Sequence, residues 1–169
     1  MKEAIRLAFY LFLVLLAATL PANAGRLRDG LAAFKRHNYE AAGKFLHAPA
    51  AQGAPSAQAV LCFMYTFGRG VPQNYREAAN WCRRAANQGN SEGQYMLGLM
   101  YNKGQGVPED FFLAYKWLNL AAARASGNKR DHFYRIRDSV ATKLTPAQID
   151  VAQRVALDWM PTFEQKNRR

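Results

Sequence analysis

The chain is poor in the residues that carry chemistry. Its three histidines, His37, His47 and His132, stand at no spacing that a helix turn would convert into a metal pair, and H-E-x-x-H does not occur. Two cysteines, Cys62 and Cys82, are too few for a disulfide framework, and the absence of C-x-x-C argues against a redox motif. Acidic residues are scarce, 12 against 23 Lys and Arg, for a net charge of +11. Adjacent acids occur at Glu109-Asp110, where a helix starts, so Asp110 reads as a cap and not as a general acid. Serine is rare as well. Of four serines, Ser126 alone opens an S-x-x-K string, with Lys129, and the S-D-N and K-T-G partners of that motif are missing. The glycine pairs Gly68/Gly70 and Gly104/Gly106 follow helix patterns and not strands, which excludes a phosphate loop. No catalytic residue, cofactor or metal is therefore expected.

No apolar run reaches the roughly 20 residues that a membrane-spanning helix needs. The longest, 7–20, has 14 and lies between a basic start (Lys2, Arg6) and the small-residue pattern Ala22-Asn23-Ala24. That is the build of a secretory signal peptide over 1–24, cleaved between Ala24 and Gly25. An uncleaved anchor is the alternative, and the membrane would be a partner only in that way. The leader takes one surplus base, leaving the remaining domain at +10. Such a surplus favours anionic partners and says nothing about the fold. Bases crowd between Arg124 and Lys143 (with Lys129, Arg130, Arg135 and Arg137), where a solvated helix face and an anion site are both open readings.

What the sequence does have is repetition. Offset by 36 residues, 54–89 overlies 90–125 without a gap, and 12 of the 36 aligned positions are identical. Leu61/Leu97, Met64/Met100 and Tyr65/Tyr101 recur at three- and four-residue spacing, one apolar stripe on a first helix. Gly68/Gly104, Gly70/Gly106 and Pro72/Pro108 stop that helix. Asn74 and Asp110 stand where a second helix would be capped, and Glu77 suggests something close to a capping box. Ala78/Ala114, Trp81/Trp117, Ala85/Ala121 and Ala86/Ala122 supply the inward face of that second helix, so the recurring tryptophans read as packing. Each unit is an antiparallel helix pair that cannot bury its own apolar face, and stacked pairs can.

A weaker unit leads these, over 25–53, with helices expected near 27–38 and 39–52 and Asn38 as a cap. Ser126-Gly127-Asn128 then breaks the pattern. A basic helix over about 129–143 precedes Thr145-Pro146-Ala147-Gln148, a capping box with Pro at the first helical position. These two helices, within 126–163, read as a solenoid cap ended by Pro161, and 164–169 as a tail.

The pattern L-x-x-x-Y-x-x-G-x-G-V-P followed by A-x-x-W-x-x-x-A-A, at Leu61–Ala86 and Leu97–Ala122, resembles the Sel1-like repeat, a relative of the tetratricopeptide repeats. The first copy departs from it at Cys62, where the second has Gly98 after Leu97. The resemblance implies an all-α, right-handed α-α superhelix of antiparallel pairs with a C-terminal capping pair. Facing positions in a helix hairpin have nearly constant index sums, and Cys62 and Cys82 match Gly98 and Leu118 of the next unit. A glycine opposite a leucine implies close approach, so in an exported protein Cys62 and Cys82 are placed to bridge. Two buried thiols acting as small hydrophobes are the other reading.

Carried over from the related repeats, the first helices line a concave side. Leu31, Phe34 and Lys35 would face it from the leading unit. Phe63, Thr66 and Phe67 would do so from the middle unit, and Tyr95, Leu99, Asn102 and Lys103 from the last. Phe63 and Phe67 have Leu99 and Lys103 as counterparts, so the repeat does not demand them. They read either as binding anchors or as contacts between units. The expected function is a non-catalytic protein–protein interaction scaffold, periplasmic or secreted, whose apolar groove rimmed by Lys35 and Lys103 takes a protein or peptide partner of the envelope. The alternative is binding of an anionic envelope polymer, peptidoglycan or an acidic polysaccharide, through the basic surface. Links between some Sel1-like proteins and β-lactam binding leave a β-lactamase-like enzyme as a third reading, resting on Ser126 and Lys129 alone. Nucleic acid is disfavoured for an exported chain.

Overall fold

The computed structural model describes residues 24–159, and within them it is helical throughout. Residues 1–23 of the leader, Pro161 and the tail lie outside the described residues, and Ala24, the last residue assigned to the leader, opens the first helix. The helices are α1 (24–35), α2 (Tyr39–Ala51), α3 (Pro55–Phe67), α4 (Tyr75–Asn87), α5 (Ser91–Lys103), α6 (Phe111–Arg124), α7 (Gly127–Ala141) and α8 (Pro146–Leu157). Among the described residues no helix is long and apolar enough to cross a membrane. The basic helix thus starts at Gly127, two residues ahead of expectation, and α1 lies about three residues earlier than expected.

The 36-residue period is written into the backbone. Asn38, Asn74 and Asp110 stand at that interval, and each side chain accepts a first-turn N–H of the helix it precedes. Asn74 differs from a capping box, because its own N–H donates to the Tyr65 carbonyl (2.9 Å), as Asp110 N–H does to Tyr101. The half of the box assigned to Glu77 is therefore taken by the preceding turn. That turn repeats to within a few degrees, with φ of 63° at both Gly68 and Gly104 and 71° at both Gly70 and Gly106. A Cβ on Gly70 would meet the backbone of Tyr39, and one on Gly106 the backbone of Tyr75, so each loop seats on the first residue of the previous second helix. The leading unit lacks this loop and turns in three residues, with His37 at φ 60° in the role glycine fills elsewhere.

Second helices pack through alanine. Ala42, Ala78 and Ala114 have no exposed surface, nor do Ala50, Ala86 and Ala122. Gln58 and Gln94 tie unit to unit, each donating its side-chain amide to the carbonyl of Ala50 or Ala86 on the preceding helix. Helices pack mainly on their chain neighbours, while α5 also touches α3, and α8 rests on α6. The result is a superhelical stack of helix pairs, closed at its C-terminal end by α7 and α8. Thr145 and Gln148 form the expected reciprocal capping box at α8. Trp117 is buried and Trp81 half-buried, both against the core between units.

Candidate binding groove

First helices supply one wall and one floor. Leu31, Phe34 and Lys35 of α1, Phe63 and Phe67 of α3, and Tyr95 and Leu99 of α5 line a single groove of about 640 Å³. It runs obliquely from the last turn of α1, across α3 and α5, to the first turns of α7. Lys103 is not part of it. That residue lies on an adjoining depression that shares Phe67, Met96 and Leu99 with the main groove. Thr66 does not face the groove as a free polar group: it is buried and donates to the Cys62 carbonyl at 2.7 Å. Asn102 is likewise engaged, accepting from Lys143.

The two readings of the extra aromatics divide between the residues. Phe63 packs edge-on against Phe34 of the leading unit, with centroids 5.4 Å apart, so contact between units explains it. Phe67 rests tilted on Phe63 at 4.7 Å yet keeps 51% of its surface exposed. No core needs it, and an apolar ring left half in water is free energy available to a partner, at about 25 cal/mol for each Å² covered.

The far wall comes from outside the repeat. Phe133 of α7 stacks on Tyr95, with ring planes 13° apart and centroids at 4.2 Å, and Lys129 pairs with Glu92 on the rim. Burial alone would raise the Glu92 carboxyl. The hydrogen bonds from Lys129 and Ser91 outweigh it and hold that carboxyl below its ordinary value. Burial pushes the Tyr95 hydroxyl up, so it stays protonated and pairs with His132 Nε2 at 3.0 Å. Nothing periodic in the sequence says which repeat residue the basic helix α7 meets. Phe133, Lys129 and Glu92 were missed as groove residues for that reason, and Met96 of α5 was missed as well.

Cys62 and Cys82 form a disulfide between α3 and α4, both fully buried, with Cα atoms 5.0 Å apart. In the next unit Gly98 fills the place of Cys62, and a Cβ there would come within 2.7 Å of Leu118. Ser126 and Lys129 do not form a base-activated pair, since the Lys129 ammonium is held by Glu92. Among the described residues no cluster of three His, Cys, Asp or Glu could hold a metal.

Helix pairs stacked with a fixed repeat and an apolar groove on their first helices define an α-solenoid. The Sel1 repeat model matches residues 55–90 and 91–126, one residue on from the units read in the sequence, so this part of the chain carries two Sel1 repeats. Among solved structures it is similar to a protective antigen of uropathogenic Escherichia coli strains displaying an SLR fold. The TM-score is 0.71 and the identity 27%, over 81% of this chain and 29% of that one. It is also similar to a Sel1 repeat protein from Oxalobacter formigenes, at TM-score 0.56 and 36% identity, over 59% of this chain and 39% of that one. The chain thus spans well under half the length of either. No curated protein matches it. Sel1 repeats are generally non-catalytic scaffolds for protein–protein interaction.

Proposed function

We propose that this protein is an envelope or secreted scaffold that seats a segment of a partner protein in the groove of its first helices. The observation that carries the reading is the apolar groove itself, with Phe67 half-exposed at its centre. Export is supported by the leader pattern and by a buried disulfide, which persists in oxidising compartments.

The basic segment lends the polymer alternative less than its charge suggests. Of the six bases from Arg124 to Lys143, Arg124 lies over Trp159, Lys129 pairs with Glu92, and Arg130 donates to the Ala125 carbonyl. Arg137 binds Asn119 and Asp138, and Lys143 binds Asn102. A cation already engaged gains less from a new anion.

The test is capture of partners from envelope extract by wild type and by the Phe63→Ala/Phe67→Ala double variant, at low and high salt. We expect capture that survives high salt and falls at least tenfold in the variant, with helicity by circular dichroism unchanged. Capture that vanishes with salt and ignores the substitutions would move the site to the basic surface.

A further inference from the structure

The groove also specifies the form of its occupant, and this inference rests on the reading just given. Its walls are helical. Apart from Ser56, Asn90, Glu92 and Lys129 at helix starts and Lys35 and Phe67 at helix ends, the lining residues lie inside helices that consume their own backbone groups. Asn90 already accepts from Gly93, and Glu92 and Lys129 hold each other. An extended segment laid against Phe34, Phe63, Phe67, Leu99 and Phe133 would bury N–H and C=O groups with nothing to pair them, and each such group costs about 1–3 kcal/mol. A helix arrives with those bonds made and presents an apolar stripe at i, i+3, i+4 and i+7.

The rim adds a sign. Lys35 and Lys103 flank the groove and its adjoining depression, and among the described residues neither has an acidic partner. Two helices start at this wall without a capping side chain, α3 after Ala54 and α7 after Ser126, so the positive ends of their dipoles are uncompensated. The one acid on the wall, Glu92, is neutralised by Lys129. We infer that the groove takes an amphipathic α-helix of a partner protein whose polar face is acidic.

Three fluorescent model peptides of about 15 residues test this on the full chain by anisotropy. One carries a leucine stripe with glutamate on the polar face, the second has lysine in place of glutamate, and the third is the acidic peptide with two central prolines. We expect the acidic helix to bind at least tenfold more tightly than either other peptide. Phe67→Ala should weaken it about tenfold, and Lys35→Glu/Lys103→Glu should reverse the charge preference. Equal binding of the proline peptide would overturn the helical form, and equal binding of the lysine peptide would overturn the acidic face. The groove reading would survive both results. Dodecanoate binding where no peptide does would replace the helix with an acyl chain and overturn the reading too. If no peptide binds while extract capture still depends on Phe63 and Phe67, the inference fails alone.

Discussion

At the scale of single residues, a missing side chain can matter as much as one that is present. Gly98 is buried in α5, and a methyl group there would press on Leu118 at 2.7 Å and on the Ala114 carbonyl at 3.1 Å. Leucine can yield a little, but the carbonyl belongs to α6 and cannot. Gly98→Ala should therefore lose about 1–3 kcal/mol of stability despite alanine's better helix propensity. A denaturant melt measures this, and an unchanged or raised midpoint would mean that the two helices can part without cost. This contact was legible in the sequence as a glycine opposite a leucine, and it was that close approach which placed Cys62 and Cys82, at the same two positions one unit earlier, to bridge. Phe67 was legible for a similar reason, since its counterpart Lys103 showed that the repeat does not require an aromatic there. Its neighbour Phe63 was not separable from it, because only the packed structure shows Phe34 against one ring and not the other.

At the scale of elements, the helix hairpin of the middle unit is the one cross-linked piece. The bridge spans 20 residues of sequence and includes the glycine loop. Closing a loop of that size removes freedom from the unfolded chain worth about 3 kcal/mol. Cys62→Ala/Cys82→Ala should lower the unfolding free energy by about that amount, with the helical spectrum kept under native conditions. A melt with and without reductant provides the check, because the double variant should no longer respond to reductant. The second helices were the most legible elements. Their caps recur at Asn38, Asn74 and Asp110, and three caps at one interval fix three helix starts. Helix α1 was placed less well because its turn to α2 has no glycine, and His37 gives no signal in sequence that it will adopt a left-handed backbone.

At the scale of the whole molecule, the C-terminal pair is a lid on the stack, and its first helix, α7, is also part of the groove. This dual role was hidden. A repeat predicts its own next copy, but it does not say where a non-repeating helix will lie, so Lys103 was expected on the rim that Lys129 occupies. The pair Glu92–Lys129 ties α5 to α7, and its depressed carboxyl makes the tie acid-sensitive. A carboxyl lowered on folding contributes stability above its unfolded value of about 4.3, and that contribution is lost as pH falls through the lower folded value. Both groups are well exposed, so the effect should be at most about 1 kcal/mol. Melts at pH 7 and pH 3.5 should show a smaller acid-induced drop for Glu92→Gln than for wild type. Equal drops would mean that the tie contributes nothing.

The seats of Gly70 on Tyr39 and of Gly106 on Tyr75 are the same joint made twice. A joint of one shape makes length a counted quantity. Such a chain can gain or lose a full 36-residue block and leave the remaining seams as they were. A single residue inserted within α4 or α5 would instead turn everything beyond it by about 100° around the helix axis, the angle of one step in a 3.6-residue turn. The reach of the binding trough is in this way set in whole modules, and a longer partner would call for another module and not for a longer helix.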